Sequence, residues 1–234
     1  MYVKEVNPGA VVKSLRRHRH TGKAMWNWLK TSKASAIQED TQNQPAETLI
    51  ESSHPKIIII TGTSGSGRKS IAKQLSASLG IPYILPYTTR AARPQEEDGQ
   101  HYHFISDGEF QAMVETNAFF QRVHLERGHY GIALADLEQG IEEHKAVIVV
   151  VNHEGASAFR KKYGEEALRI FIYVTKNDIQ LRLEREAVPY GIVDEYLGNY
   201  TEEVAFKRES EYLLQNMEPE LTVQKIKEFL QTKI

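Results

Sequence analysis

Gly62, Gly65 and Gly67 stand between an apolar run, Ile57 to Ile60, and the triplet Arg68-Lys69-Ser70. Glycines at this spacing let successive backbone N–H groups turn toward one point, and a helix opening near Arg68 adds the positive end of its dipole. The product is an anion site made largely of main chain, suited to phosphate. Gly62 and Gly67 satisfy G-x-x-x-x-G, a pattern that carries weight here because it follows a strand and opens a helix. The pattern continues with a lysine for the β- and γ-phosphates and a Ser or Thr for a magnesium ion. Here those positions read Arg68 and Lys69. A reading shifted by one residue, with Lys69 and Ser70 in the two roles and Ser70 as the metal ligand, recovers the side chains but gives up the glycine spacing.

The elements that must position this loop are legible in the apolar pattern. Ile57 to Ile60 has no polar alternation, which suits a central parallel strand covered on both faces. Ile71, Leu75 and Leu79 share one helical face, and Gly80 with Pro82 ends that helix. A short strand is expected at Tyr83 to Tyr87, followed by a charged segment too long for a hairpin turn. Ser106-x-x-Glu109 is a capping box that opens a helix over Asp107 to Asn117. Phe119, Phe120 and Val123 predict a short strand running toward Gly128-His129-Tyr130-Gly131, and Leu134, Leu137 and Ile141 predict a helix. Ala146 to Val151 and Leu168 to Val174 are further buried strands, with a helix from Ala156 to Tyr163 between them. Asp178 to Ala187 is helical, Pro189 to Gly191 breaks the run, and Val193 to Leu214 resumes it. Val223, Ile226, Phe229 and Leu230 mark a closing amphipathic helix. Strands alternating with helices place the chain in the α/β class, as a P-loop parallel sheet with helices on both faces.

Composition narrows the function classes. The 234 residues suffice for one α/β domain with an appendage, and a net charge of −2 gives no global attraction to nucleic acid. With no cysteine there is neither a disulfide framework nor a thiolate metal site or nucleophile. No apolar run approaches the ~20 residues that span a bilayer, and the expected location is cytoplasmic. Residues 1–54 differ from the rest: Lys13, Arg16, Arg17, Arg19, Lys23, Lys30 and Lys33 crowd together with Trp26 and Trp28 interleaved, and a polar linker follows. This arm suits an anionic surface or an acidic partner; a solvated, flexible arm is the alternative. The folded domain is expected over residues 55–234.

At TTRAARPQEEDGQHYHFIS, residues 88–106, the chain resembles the guanylate kinase family, and the likeness runs from about Pro55 to the C-terminus. The resemblance implies a five-stranded parallel core, a small monophosphate-binding domain inserted at 86–131, and a lid at 185–205. It also implies ATP and magnesium as cofactors and a nucleoside monophosphate as acceptor. Arg90, Arg93, Tyr102 and Tyr130 match the residues that grip the acceptor phosphate, a role that guanidinium forks and phenol hydroxyls suit. Surface ion pairs and packing are the alternative for these four. Glu96 matches a family position, with solvation beside Glu97 and Asp98 as the alternative. Asn216 falls where the family has an asparagine near the adenine, and a helix cap is its alternative.

The departures fall on chemistry. Arginine at 68 is bulkier than the family's lysine, and at Lys69 an ammonium sits where a hydroxyl should meet the cation. Val150 and Asn152 replace acids at the end of the second apolar strand. Gln121 replaces the glutamate that reads guanine, and Pro86 and Ile132 replace two serines on the guanine side. The lid keeps Arg182 and Arg185, the expected catalytic arginines with Arg68 and Lys69, but its second arginine position reads Glu195-Tyr196. Two functions follow from these residues. One is an ATP-dependent nucleoside monophosphate kinase, acting on GMP or another base, that transfers a γ-phosphoryl group. The other is a weakly active or inactive module that holds a nucleotide or a phosphorylated partner.

Overall fold

The computed structural model describes residues 56–125 and 127–233, so the basic arm expected at 1–54 lies outside the described residues. β1 (Ile57–Gly62) is buried along its whole length. It pairs in parallel with β6 (Val147–Val150) on one side and β7 (Ala167–Tyr173) on the other, and β8 (Tyr212–Gln215) extends the sheet beyond β7. The order is β6-β1-β7-β8. Beyond β6 a fifth rung is added by Pro82 to Ile84: the Ile84 amide donates to Ile148 O at 2.9 Å, and the Ile148 amide donates to Pro82 O at 2.8 Å.

The period of β1 splits the core in two. Ile58 and Ile60 pack with Ile71 and Leu75 of α1 (Arg68–Leu79) and Ile226 and Leu230 of α7 (Pro219–Gln231). Ile57 and Ile59 pack on the opposite face with Leu137 of α3 (Leu134–His144) and Ala156 and Phe159 of α4 (His153–Tyr163). Both faces of the parallel sheet are thus covered by helices, as the unbroken apolar run requires. Each fully buried isoleucine contributes about 1.5–3 kcal/mol, so burial anchors the strand beneath the glycine turn.

A second sheet, in the order β3-β2-β5-β4, is built from β2 (Tyr87–Thr88), β3 (His103–Phe104), β4 (Phe119–Leu125) and β5 (Gly128–Ala133). α2 (Asp107–Glu115) enters through the expected capping box, with the Glu109 amide donating to Ser106 Oγ at 3.2 Å. It stops two residues early because Asn117 takes a left-handed conformation, φ 52°. The strand expected at 83–87 divides between the two sheets: Tyr83 bridges to Ile148, while Tyr87 pairs with His103 and Gly131. Pro86, which has no N–H to give to a ladder, sits at the switch.

α5 (Lys176–Arg185) and α6 (Tyr190–Ala205) pack on each other through Ile179, Leu183 and Val193. The helix expected to run on to Leu214 ends nine residues sooner in sequence, at Ala205; a 3-10 turn follows, and Tyr212–Gln215 forms β8. A four-residue run such as YLLQ has too few turns for its period to show, and pairing with β7 decides its state. Among the described residues no helix is long and apolar enough to cross a membrane.

Candidate functional site

The glycine turn owes its shape to what lies beneath it. Gly62 has φ 134°, and a Cβ there would come within 1.8 Å of Ile172 O; the carbonyl in that space accepts from the Thr63 amide at 3.1 Å. Gly67 has φ 86° and is followed directly by α1, whose first two residues are Arg68 and Lys69. In the register that pairs Gly62 with Gly67, Lys69 falls at the hydroxyl position. The amides of Gly65, Gly67 and Arg68 find no protein acceptor among the described residues. They lie at the positive end of α1, where an anion is favoured.

Asn216 holds this turn from behind. It is only 2 % exposed, its Nδ2 donates to Ser66 O at 2.7 Å, and its Oδ1 accepts from Thr222 Oγ1 at 2.9 Å. Arg182 donates to the Asn216 carbonyl. Asn216 thus does not line the cleft; it fixes the loop that does. Ser64 is held from the other side by α6: its amide donates to Glu203 Oε2 at 2.7 Å and its hydroxyl donates to Oε1 at 2.6 Å.

The segment between β2 and β3 carries the arginine pair. Arg90 is 9 % exposed, donates to Glu96 Oε2 at 2.7 Å through Nη2 and lies 5.3 Å from the Tyr102 ring. The Arg93 amide donates to the same Glu96 oxygen at 3.0 Å, and Lys69 Nζ lies 3.5 Å from Glu96 Oε1. Burial pushes the Glu96 carboxyl up, but the Arg93 amide, the Arg90 guanidinium and Lys69 outweigh it and bring its pKa down to about 2. Glu96 is therefore the anionic hub that orients the cations, and the solvated alternative does not describe it. Tyr102 and Tyr130 meet at 5.9 Å between ring centroids, and burial raises the Tyr130 pKa.

One cleft of about 430 Å³ collects these groups. Gly65, Gly67, Arg68, Lys69, Ser70, Arg90, Arg93, Tyr102, Gln121, Tyr130 and Arg182 all line it. Gly62, Glu96, Arg185 and Asn216 do not: the first is packed under the turn, Glu96 supports the arginines, and Asn216 supports the loop. Pro86, Val123, Ile132, Val150 and Val151 add apolar lining to the same cleft, and Ile132 pairs with Gln121 across β4 and β5. Among the described residues of the lining, Arg68, Lys69, Arg90, Arg93, Arg127 and Arg182 carry positive charge against Glu186 and Glu195. Such a cleft attracts polyanions.

Several residues of the site have no signal in the sequence pattern. Arg127 pairs with Glu195 at 2.5 Å and stacks 5.1 Å over the Tyr196 ring, and Arg93 Nη2 donates to the Tyr196 hydroxyl at 3.4 Å. Burial raises the Tyr196 pKa, but Arg93 and Arg127 more than offset it and the net shift is downward. Glu195 and Tyr196 thus join α6 to the loops that carry Arg93 and Arg127. Tyr83 also lines the cleft; its hydroxyl is buried without a partner, and burial raises its pKa.

The residues that would meet magnesium do not fit it. Lys69 brings an ammonium, Ser70 Oγ accepts from Gln74 Nε2 at 3.2 Å, and Asn152 Oδ1 accepts from the Gly155 amide at 3.0 Å as the cap of α4. Val150 and Val151 supply only methyl groups at the end of β6. A hard divalent ion takes oxygen ligands at near-fixed geometry, which this set does not offer.

Known proteins agree with the fold. The curated "Guanylate kinase" of Desulfitobacterium hafniense is 26% identical over 183 residues, 77% of this chain and 92% of that protein. That of Deinococcus radiodurans is 32% identical over 116 residues, half of this chain and 48% of its own length. A crystal structure of guanylate kinase from Anaplasma phagocytophilum superposes with TM-score 0.62 at 21% identity, over 76% of this chain and 84% of that one. The family profile described as "Guanylate kinase" matches residues 54–233, more than three quarters of the sequence, and the chain belongs to the guanylate kinase family.

Proposed function

We propose that the cleft is a nucleotide site with two phosphoryl pockets and that the protein works as a nucleoside monophosphate kinase. The donor triphosphate of ATP is held by the glycine turn and Arg68. The acceptor monophosphate is held by Arg90, Arg93, Tyr102 and Tyr130, with Gln121 on the base side. In this reading residues 86–131 form the monophosphate-binding insertion and 185–205 the lid, and Arg182 or Arg185 closes over the transferring group. The observation that carries the reading is the convergence of free loop amides and a guanidinium pair on one cleft.

The chemistry asked of the side chains is modest. An acceptor phosphate is already an anionic nucleophile, so no general base is required. Catalysis rests on alignment and on stabilising charge at the transferring group, which the cations of the cleft supply. Lys69 at the hydroxyl position and valines at the end of β6 favour a second reading, a module that binds nucleotide with little or no turnover. A coupled assay with ATP and each of GMP, dGMP, AMP and UMP separates the two. Turnover above background with one acceptor supports the kinase; binding of a nucleotide without turnover by any of them supports the module.

A further inference from the structure

Lys69 sits between the two pockets. It is the second residue of α1, yet its ammonium reaches across to lie 3.5 Å from Glu96 Oε1 and 4.5 Å from the centroid of the Tyr102 ring. The ammonium thus joins the carboxylate to which Arg90 and the Arg93 amide also donate, on a residue that stands two places after Gly67 of the turn. A magnesium ion bound to the donor phosphates at the family's hydroxyl position would meet this like charge in place of a side-chain oxygen.

We propose that the Lys69 ammonium replaces the divalent ion, so that the cleft binds its phosphoryl ligand without a divalent metal. A compact ammonium with three donors can bridge oxygens of two phosphate groups as a point charge. Ligand selection then inverts the usual preference: the metal-free polyanion, which carries more negative charge than its magnesium complex, is the better match for a cleft lined mostly by cations. The inference rests on the nucleotide-site reading, which the kinase and the module share.

The test is calorimetric titration of the full chain with ATP, once in excess EDTA and once in excess magnesium, with GMP titrated in parallel. The expected result is an ATP affinity in EDTA within about threefold of that in magnesium, or tighter. Lys69→Ser, which restores the hydroxyl, should lose about tenfold or more in EDTA and regain affinity when magnesium is added, with an unchanged circular dichroism spectrum. Wild-type binding of ATP that tightens about tenfold or more on adding magnesium overturns the inference. Unchanged binding by Lys69→Ser in EDTA overturns it as well. If GMP binds while ATP requires magnesium, the nucleotide-site reading survives and only the inference falls. If neither nucleotide binds under either condition, both fall together.

Discussion

The Glu203 carboxylate grips Ser64 from 139 residues away in sequence, accepting from its amide at 2.7 Å and from its hydroxyl at 2.6 Å. Both oxygens are used, and the bonded amide belongs to the same turn in which the amides of Gly65, Gly67 and Arg68 find no protein acceptor among the described residues. An acidic side chain of α6 is thus attached to the loop proposed to hold the donor phosphates. Hydrogen bonds to a charged group contribute about 1.5–3 kcal/mol, enough to decide whether α6 rests against the turn. Glu203→Ala should speed amide hydrogen exchange across residues 190–205 by about tenfold or more while leaving β1 and β6 protected. Unchanged exchange in that helix would show that the contact does not hold α6.

Glu96 gives the domain a defined acid response. Its folded-state pKa is depressed from the ordinary 4.5 to about 2. Stability from this group is therefore complete above about 4.5 and is lost as pH falls from there toward about 2, where the carboxylate takes up a proton and releases Arg90. The melting temperature of the wild type should fall through that window more steeply than that of Glu96→Gln, and the two curves should approach each other at the acid end. Parallel curves would mean that Glu96 is not held as an anion by Arg90, the Arg93 amide and Lys69.

The base wall predicts a shifted preference. Gln121 presents an amide where the family reads guanine with a carboxylate, and Pro86 and Ile132, which line the same cleft, offer no hydrogen bonds from their side chains. A glutamate accepts from guanine's N1–H and N2–H together, and a missing partner of that kind costs about 1–3 kcal/mol. Gln121→Glu should raise the affinity for GMP relative to AMP by about tenfold, measured as a ratio of dissociation constants. A ratio that does not move would place the base elsewhere in the cleft.

Much of this architecture is written locally. Four consecutive isoleucines suit a strand covered on both faces, and after Thr61 the turn glycines begin at once. The capping box at Ser106 marks a helix start because it is closed within three residues. β8 is not legible in this way: Tyr212 to Gln215 becomes a strand because Phe171 and Ile172 are beside it. In the site, Arg90, Arg93, Tyr102 and Tyr130 are legible from their spacing within the family's element. Arg127, Glu195, Tyr196 and Glu203 are not, since each acquires its meaning from a partner brought close by packing of α6. On the sequence alone, Glu203 is one of two adjacent glutamates, a pair that any solvated helix face carries. Asn216 is the intermediate case, a residue whose position in the pattern is plain but whose side chain turns out to brace the loop from behind.

The account stands on the arginine pair as the receptor for a phosphoryl group, and titration of the nucleoside monophosphates against wild type and Arg93→Ala tests it most directly. Arg93 is the better choice for the substitution because Arg90 also braces Ala91 and Glu96. The account predicts that at least one monophosphate binds the wild type and that Arg93→Ala weakens it by about tenfold or more, the loss of one charge-assisted contact. Equal affinity in the two proteins would contradict it.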